Sequence, residues 1–308
     1  MSFIENYGIY RKKLRDALQA HDLLVDSKII EFSGAALVAA EQGRWNMAAD
    51  EFSKSLQQIL IGKLSADHQF LEHPYVRRIE LPNFGWISVA IVNAQSRDWY
   101  GTERTIGSFD FLFEAKLGVF NGCKRFLDLG GHQLVWACFY GMTAPDARVV
   151  SYEPSILNVA IGLFNCFVNN VVDRVDIVPF AALASNAPGE DDHSNMLVDF
   201  MTMPLRTSRI NSQNDFLFDF IKTDIEGYEF ELLSDPHYID ILSRAKSSHL
   251  ELHLGHLSRR GVCLQQWIDR LQEAKLQGVE LYSNENMYNF LKKSDPDGFY
   301  SFLVTVAK

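Results

Sequence analysis

The sequence predicts an α/β fold with a doubly wound, seven-stranded, mostly parallel sheet that follows an N-terminal helical extension and a β-hairpin. From residue 124 onward, short apolar runs typical of buried strands alternate with helical patterns. Two of these runs end at the acidic residues Asp128 and Glu153, with room between them for one strand–helix–strand unit. The last two predicted strands are joined by a turn-rich connection rather than a clear helix, which favours an antiparallel end of the sheet.

The N-terminal residues, from 1 to about 65, are predicted to be helical. Apolar side chains recur there at helix spacing, with a pause near Gly43. The two main stripes are Ile4, Tyr7, Tyr10, Leu14 and Leu18, and then Ala48, Phe52, Leu56 and Ile59. We assign residues 1–75 to a helical N-terminal extension and residues 76–308 to the main domain. The extension is expected to cap that domain, and formation of a homo-oligomer through its helices is the alternative.

The remaining elements follow in order along the chain. Strand-like segments at 75–81 and 86–92 flank a turn and predict the β-hairpin, and a helix is expected over 111–120. The strands of the main sheet are then expected at 125–128, 147–152, 174–180, 217–223, 247–253, 279–284 and 299–307. The connection from 183 to about 215 is long for a compact domain, which predicts a lid or a wall of the acceptor site.

Composition and charge exclude several classes of function. The chain has 308 residues, 47% of them hydrophobic, and a formal net charge of −10, whereas a general nucleic-acid binder needs a basic surface. No apolar stretch approaches the about 20 residues of a membrane span. No secretory signal is recognised at the N-terminus, and the four scattered cysteines lack zinc spacing. We therefore expect a cytoplasmic protein without nucleic-acid partners.

The loop that begins at Asp128 predicts a cofactor site at the carboxyl edge of the sheet. Gly130 and Gly131 let the backbone approach a ligand closely. The Asp128 carboxylate would repel a pyrophosphate and attract a cation, such as the ammonium or sulfonium group of S-adenosylmethionine. Glu153, at the end of the next strand, is placed to accept both hydroxyls of a ribose, which S-adenosylmethionine and NAD share.

A third charged segment follows an apolar strand, where Lys222, Asp224 and Glu226 alternate along the chain. Alternate residues of a strand share a face, so the three charges are expected to project together. Burying them is costly without a ligand or a partner. A Lys–Asp ion pair at the strand end is the structural alternative to a functional role.

These segments resemble the FkbM family of methyltransferases. The family pattern has an Asp–apolar–Gly loop, an aromatic-Glu-Pro motif, asparagines in the next helix and a Lys-x-Asp-(Val/Ile)-Glu-Gly-x-Glu signature, and its following strand often reads Glu-x-His. The chain supplies Asp128-Leu129-Gly130, Tyr152-Glu153-Pro154, Asn165 with Asn169, Ala181-Ala182, Lys222 to Glu229, and Glu251-Leu252-His253. The resemblance extends from about Trp99 to the C-terminus. It departs in the loop, where Gly131-His132-Gln133-Leu134 replaces the usual Ala-Asn-x-Gly.

The resemblance implies a class I, Rossmann-like methyltransferase that transfers the methyl group of S-adenosylmethionine, most often to a hydroxyl of a sugar, a glycan or another small molecule. For cofactor binding it implies Asp128 at the amino group, Gly130 and Gly131 at the methionine portion, and Glu153 on the ribose. Ala181 and Ala182 would border the adenine.

For catalysis, Asp224 is expected nearest the methyl group, with Glu226 and His253 on the acceptor side. His253 is the preferred base, because the unperturbed pKa of histidine is about 6.5. An inert, hydrogen-bonded histidine at a strand end is the alternative. Asp224, Glu226, Glu251 and His253 offer ligands for a hard divalent ion, but no tight ligand spacing is present and a metal is not expected.

Two other functions remain open at this stage. A nicotinamide-dependent oxidoreductase is compatible with Glu153, although the G-x-G-x-x-G fingerprint is absent and Asp128 opposes a pyrophosphate. A non-catalytic Rossmann-like module that binds a partner through the N-terminal helices is compatible with the altered loop from His132 to Leu134.

Overall fold

The computed structural model describes the chain at residues 1–23, 30–61, 69–81, 84–102, 109–183, 207–210, 217–259 and 261–307. Most of the predicted lid between 183 and 215, and the middle of the predicted hairpin turn at Pro82 and Asn83, lie outside the described residues. No helix among the described residues is long and apolar enough to cross a membrane.

Three helices form the N-terminal part, as predicted: α1 (Phe3–Ala20), α2 (Gly34–Glu41) and α3 (Asn46–Ile59). A capping box starts α1, because the Ser2 hydroxyl accepts the Glu5 N–H while the Glu5 carboxylate accepts the Ser2 N–H. The hairpin follows as β1 (Phe70–Leu81) and β2 (Gly85–Asn93), paired antiparallel.

The elements of the main domain follow in chain order. They are α4 (Ala94–Tyr100), α5 (Asp110–Lys116), β3 (Arg125–Leu129), α6 (Val135–Thr143), β4 (Arg148–Tyr152), α7 (Ile156–Val168), β5 (Val175–Val178), β6 (Ala181–Leu183), β7 (Thr207–Arg209), β8 (Phe220–Thr223), α8 (Glu229–Leu232), α9 (Pro236–Arg244), β9 (Ser247–His253), α10 (Leu254–Ser258), α11 (Leu264–Glu273), β10 (Leu276–Glu280), α12 (Met287–Leu291) and β11 (Phe299–Val306).

The seven-stranded sheet has the order β10-β11-β9-β8-β3-β4-β5. All pairs from β9 to β5 are parallel, whereas β11 runs antiparallel to both β9 and β10. The predicted fold class is confirmed, including the antiparallel end. Because β3, β4, β8 and β9 are parallel, their carboxyl ends meet at one edge of the sheet, and the loops after them form the candidate site.

Several element boundaries differ from the prediction, including the start of β1 at Phe70, within the residues assigned to the helical extension, and two of them have a clear local cause. The strand expected at 279–284 is β10, which ends at Glu280 because its carboxylate accepts the N–H groups of Tyr282 (3.1 Å) and Ser283 (2.6 Å) and turns the chain. The helix expected at 111–120 is the shorter α5, and the backbone reaches a left-handed conformation at Gly118 soon after it (φ 73°).

The N-terminal helices share a core with the main domain. The Tyr10 ring of α1 stacks on Phe167 of α7 at a centroid distance of 5.0 Å, and Phe52 of α3 stacks on Phe164 at 4.7 Å. All four side chains are buried in one hydrophobic cluster. The domain boundary at residues 75 and 76 stays a prediction, and this shared core supports α1 and α3 as an integral cap.

Two asparagines of α7 attach the hairpin to the main domain. Asn165 accepts the Ala90 N–H at 2.8 Å, and Asn169 both accepts the Ser88 N–H and donates to its carbonyl oxygen, each at 2.7 Å. These contacts satisfy backbone groups on the free edge of β2. The asparagines of the family pattern therefore have a structural use in this chain.

Candidate active site

The loop after β3 lies against the end of β8. Gly130 has a left-handed backbone (φ 83°), and a Cβ atom there would overlap the carbonyl oxygen of Asp224. The N–H groups of Gly130 and Gly131 both donate to the Tyr152 carbonyl, at 3.0 and 2.9 Å. The loop is therefore fixed to both neighbouring strands, and its two glycine N–H groups are already used.

The altered part of the loop is accommodated by packing. Leu134 has a left-handed backbone (φ 57°), which is unfavourable for leucine, at the position where the family pattern has glycine. Its side chain is fully buried and fills the space above Gly162, where a Cβ atom would overlap it. A large residue in the loop and a missing side chain in α7 therefore compensate each other.

A buried ion-pair group lies beneath this loop. The Lys222 ammonium donates to the Gly130 carbonyl at 2.8 Å and lies 3.1 Å from Asp224 Oδ2 and 3.5 Å from Asp128 Oδ1. Asp128 also accepts the Ser151 hydroxyl at 2.8 Å. The structure thus contains the Lys–Asp ion pair that was the alternative interpretation of these charges, and Lys222 joins three separate segments.

The pKa values of this group follow from burial and charge. Burial raises the pKa of the Asp128 carboxyl, and the nearby Lys222 only partly offsets this. Burial would lower the pKa of Lys222, but Asp224 and Asp128 outweigh it and raise that pKa above its ordinary value. For Asp224, burial is outweighed by Lys222 and His253, so its pKa is lowered. Lys222 therefore stays charged at neutral pH.

Above the loop lies an open cavity of about 950 Å³, a volume that includes the solvent at its mouth. Its lining residues come from five parts of the chain: Gln95 and Trp99; Gly130 and His132; Tyr152, Glu153, Pro154, Ser155 and Asn158; Ala181 and Ala182; and Asp224, Ile225 and Glu226. The structure thus brings six of the predicted site residues to one cavity. Asp128, Gly131 and His253, the other three predicted site residues, are buried and are not among the lining residues.

Glu153 is oriented from both sides by the backbone. One carboxylate oxygen accepts the N–H of His132 and the other that of Ser155, each at 2.8 Å. Burial raises the pKa of Glu153 to about 7, although these hydrogen bonds oppose the change. The Asn158 side chain also donates to Glu153, and the carboxylate lines the cavity, where its remaining acceptor capacity could take a hydroxyl.

Sequence reasoning missed the wall made by α4. Trp99 packs against the His132 ring at a centroid distance of 5.2 Å, and the Tyr100 hydroxyl lies 2.9 Å from His132 Nδ1. Burial lowers the pKa of His132 to about 4, so its ring is neutral at physiological pH. No spacing in the sequence connects α4 with the glycine loop, because the hairpin brings them together.

The residues expected on the acceptor side surround the imidazole of His253. Its Nδ1 lies 3.1 Å from Glu229 Oε1, which also accepts the Ile225 N–H at 2.8 Å. Its Nε2 lies 3.5 Å from Glu226, 3.7 Å from Asp224 and 3.8 Å from Glu251. Glu229 is the last residue of the signature and begins α8. The sequence assigns it no role, because its contact with His253 depends on the fold.

Burial and these carboxylates act in opposite directions on His253. Burial lowers its pKa, but Glu229, Asp224 and Glu251 together raise it to about 10. Burial and the Asp224 charge raise the pKa of Glu251 to about 8. His253 is therefore an imidazolium at neutral pH when no ligand is bound.

Two groups of residues bring potential metal ligands together among the described residues. One is Asp224, Glu229 and His253, and the other is Asp110, His249 and Glu251, with the ligand atoms of each group within 4.8 Å of one another. The first includes two of the four residues considered from the sequence. The second was not foreseen, because Asp110 lies far from the signature in the sequence.

Several solved structures are similar to this chain. They include EvdMO1, an O-methyltransferase from Bacillus cereus in complex with SAH, and precorrin-6y C5,15-methyltransferase from Geobacter metallireducens GS-15. Sequence identities are 14%, 15% and 13%, and TM-scores are 0.35, 0.35 and 0.34, respectively. The matches cover 64%, 65% and 64% of this chain and 40%, 80% and 87% of the others, so the chain spans less than half of EvdMO1.

The sequence was also compared with curated proteins and with family models. No curated protein matches at a significant level. The model of the methyltransferase FkbM domain matches residues 128–292, which is more than half of the chain and includes the glycine loop, Glu153, the Lys222–Glu229 signature and His253. The chain therefore belongs to the FkbM family and is an S-adenosylmethionine-dependent methyltransferase.

Proposed function

We propose that this enzyme methylates a hydroxyl oxygen of a sugar, a glycan or another small molecule. The observation that carries the proposal is the orientation of His253. Its Nδ1 is occupied by Glu229, and its Nε2 faces Asp224 and Glu226, two carboxylates that line the cavity. A hydroxyl must lose its proton as its oxygen attacks, and a ring nitrogen at this edge can receive that proton once it is neutral.

The cavity has the chemistry expected for a cationic adenosine cofactor. Glu153, Asp224 and Glu226 line it, and no lysine or arginine is among its lining residues in the described part of the chain. Below the floor, Asp128 Oδ1 has no hydrogen-bond partner. When bound, S-adenosylmethionine supplies an electrophilic methyl group on a sulfonium centre.

We assign the cofactor-binding residues as follows. Glu153 holds the ribose hydroxyls with its remaining lone pairs, and the small side chains of Ala181 and Ala182 leave room for the adenine. Gly130 permits close approach of the methionine portion, and Gly131 supports it from below. Asp128 lies beneath the cavity floor, so it acts on the amino group through the electric field of the site and through Lys222.

The same loop argues against a dinucleotide. A pyrophosphate at a glycine loop is held by free backbone N–H groups. Here the N–H groups of Gly130 and Gly131 donate to Tyr152, and that of His132 donates to Glu153. The oxidoreductase alternative therefore lacks the donors that its cofactor requires.

The test separates cofactor binding from acceptor chemistry. Calorimetry should show binding of S-adenosylhomocysteine and no binding of NAD. S-adenosylmethionine with a ¹³C-labelled methyl group is then incubated with panels of sugars, amines and carboxylic acids, and NMR identifies the methylated atom. An O-methyl ether supports the proposal, whereas an N-methyl product or a methyl ester contradicts it.

The matched variant is His253→Asn, which should lose turnover while its calorimetric affinity for S-adenosylhomocysteine stays unchanged. Full turnover by this variant would exclude His253 as the group that receives the proton.

A further inference from the structure

We infer that Asp110, His249 and Glu251 form a binding site for a divalent transition-metal cation such as Mn²⁺ or Zn²⁺. These residues come from α5 and β9, and their ligand atoms lie within 4.8 Å of one another. None of the three is among the described residues that line the cofactor cavity. The site thus lies outside the cofactor cavity, and its Glu251 borders the proposed acceptor side.

The orientation of His249 is the first argument. Its ring is fully buried, and Nδ1 lies 2.8 Å from the carboxylate of Glu114, which is also fully buried. A carboxylate oxygen accepts, so Nδ1 carries a hydrogen, and Nε2 is the ring nitrogen left to bind a metal when the ring is neutral. Histidines that bind metals show this arrangement, in which a carboxylate behind the ring fixes the tautomer.

The surroundings of Nε2 are the second argument. Nε2 has no hydrogen-bond partner, and it faces Asp110 Oδ2 at 3.8 Å. A proton between a nitrogen and a carboxylate would bring them to about 2.7–2.9 Å. Two metal–ligand bonds of about 2.1 Å, separated by about 110–125°, place the ligand atoms about 3.4–3.7 Å apart. The observed distance of 3.8 Å between His249 Nε2 and Asp110 Oδ2 lies within a few tenths of an ångström of the separation expected for two ligands of one metal ion.

The carboxylates of this site are held in place by other residues. Asp110 Oδ2 accepts the Ser301 hydroxyl at 2.5 Å, and Asp110 Oδ1 accepts the Tyr282 hydroxyl. Ser301 also pairs in register with Glu251 across β11 and β9. Asp110 and His249 are thus fixed before any ion binds, which reduces the entropic cost of binding.

Charge gives the third argument. Asp110, Glu114 and Glu251 place three carboxylates around a single imidazole, and buried carboxylates are costly without a counter-charge. Lys222 nearby is committed to Asp128 and Asp224, and the imidazolium of His253 is hydrogen-bonded to Glu229. A dication would supply further positive charge to this group, and one imidazole with carboxylate oxygens suits Mn²⁺ or Zn²⁺.

A bound ion would fix the carboxylate of Glu251, whose Oε1 lies 3.8 Å from His253 Nε2. The ion would therefore tie α5 to β9 and set the position of one acid beside the acceptor site.

The test uses the full-length protein after removal of metals with EDTA. Binding of Mn²⁺ is followed by loss of the free-ion EPR signal, and binding of Zn²⁺ by competition with a chromogenic chelator. The wild type should bind one ion per chain, and Asp110→Asn should lose it. Glu114→Gln, which acts through His249, should weaken binding by about 10–100-fold.

The control is His253→Gln, which alters the other ligand group and should leave ion affinity unchanged. Circular dichroism checks folding, and Glu251→Gln, at a partly exposed side chain, replaces Asp110→Asn if the latter unfolds. The inferred site is refuted if the wild type binds neither ion while it still binds S-adenosylhomocysteine. It is equally refuted if His253→Gln, rather than Asp110→Asn or Glu251→Gln, abolishes binding.

Discussion

Replacement of Glu229 by glutamine tests how the protein controls the proton on His253. At present a single oxygen, Glu229 Oε1, accepts both the Ile225 N–H and the hydrogen on His253 Nδ1, while Oε2 has no partner. The amide oxygen of glutamine can accept the same two hydrogen bonds. Glu229→Gln therefore removes the charge and retains the geometry that orients the ring.

The expected effect is a lower pKa of His253. An opposite charge within hydrogen-bonding distance shifts a pKa by about 1–3 units. Because Glu229 is the largest of the influences that raise the His253 pKa to about 10, its loss should bring that pKa to about 7–9. At pH 8 the neutral fraction of His253 would then rise from about 1% to between about 10% and 90%.

The assay is an NMR titration of the ¹⁵N-labelled His253 ring, which requires no acceptor. Once an acceptor has been identified, the pH profile of kcat/KM gives a second measurement. Activity of the wild type should rise with pH towards about 10, because a base acts in its unprotonated form, and the rise should occur at lower pH in the variant. The control is Glu273→Gln, which removes an exposed charge paired with Arg270. It should change neither the pKa of His253 nor the pH profile of kcat/KM.

An unchanged His253 pKa in a folded Glu229→Gln variant would refute the reasoning, because it would mean that Glu229 only positions the ring. A lower pKa with no change in the pH profile would separate His253 from proton transfer.

Three further predictions concern the loop and the cavity. Leu134→Gly should destabilise the fold by about 1–4 kcal/mol in urea unfolding, since the cavity left in the core outweighs about 1–2 kcal/mol of relieved backbone strain. Gly162→Ala should destabilise the wild type but stabilise the Leu134→Gly variant. Additive effects of the two substitutions on the free energy of unfolding would contradict the compensation between Leu134 and Gly162. Lys222→Met should cost about 3–5 kcal/mol, because it leaves buried Asp128 without its counter-charge, and a loss under 1 kcal/mol would show that the ion pair is dispensable. Glu153→Gln should weaken S-adenosylhomocysteine binding by roughly 30–700-fold in calorimetry, the equivalent of about 2–4 kcal/mol for two charge-assisted hydrogen bonds, and unchanged affinity would remove its assigned role.

The sheet and its functional edge could be predicted because their signals are local. Apolar runs that end at Asp128 and Glu153 required only the rule that parallel strands place their ends at one edge. The family signature then located Asp224, Glu226 and His253. These inferences did not depend on which strands are neighbours.

The rest depends on pairing that a single sequence does not reveal. Asp128 and Lys222 are register partners on adjacent strands, so their charges meet beneath the loop instead of facing the cavity. Likewise, Lys222 and His249 are register partners. Asp110 lies beside His249 because α5 packs there, which the sequence does not reveal. The side-chain period predicts a shared face, but register decides which groups touch.

The wall that α4 contributes to the cavity lies outside the part of the chain that matches the family. Gln95 and Trp99 precede residue 128, where the match to the family begins, and the β-hairpin delivers them to the site. The cavity is thus assembled from a stretch within the family match and a stretch that precedes it. Substitutions at Gln95 and Trp99 would therefore reshape one wall of the cavity while every residue of the Lys222–Glu229 signature is kept.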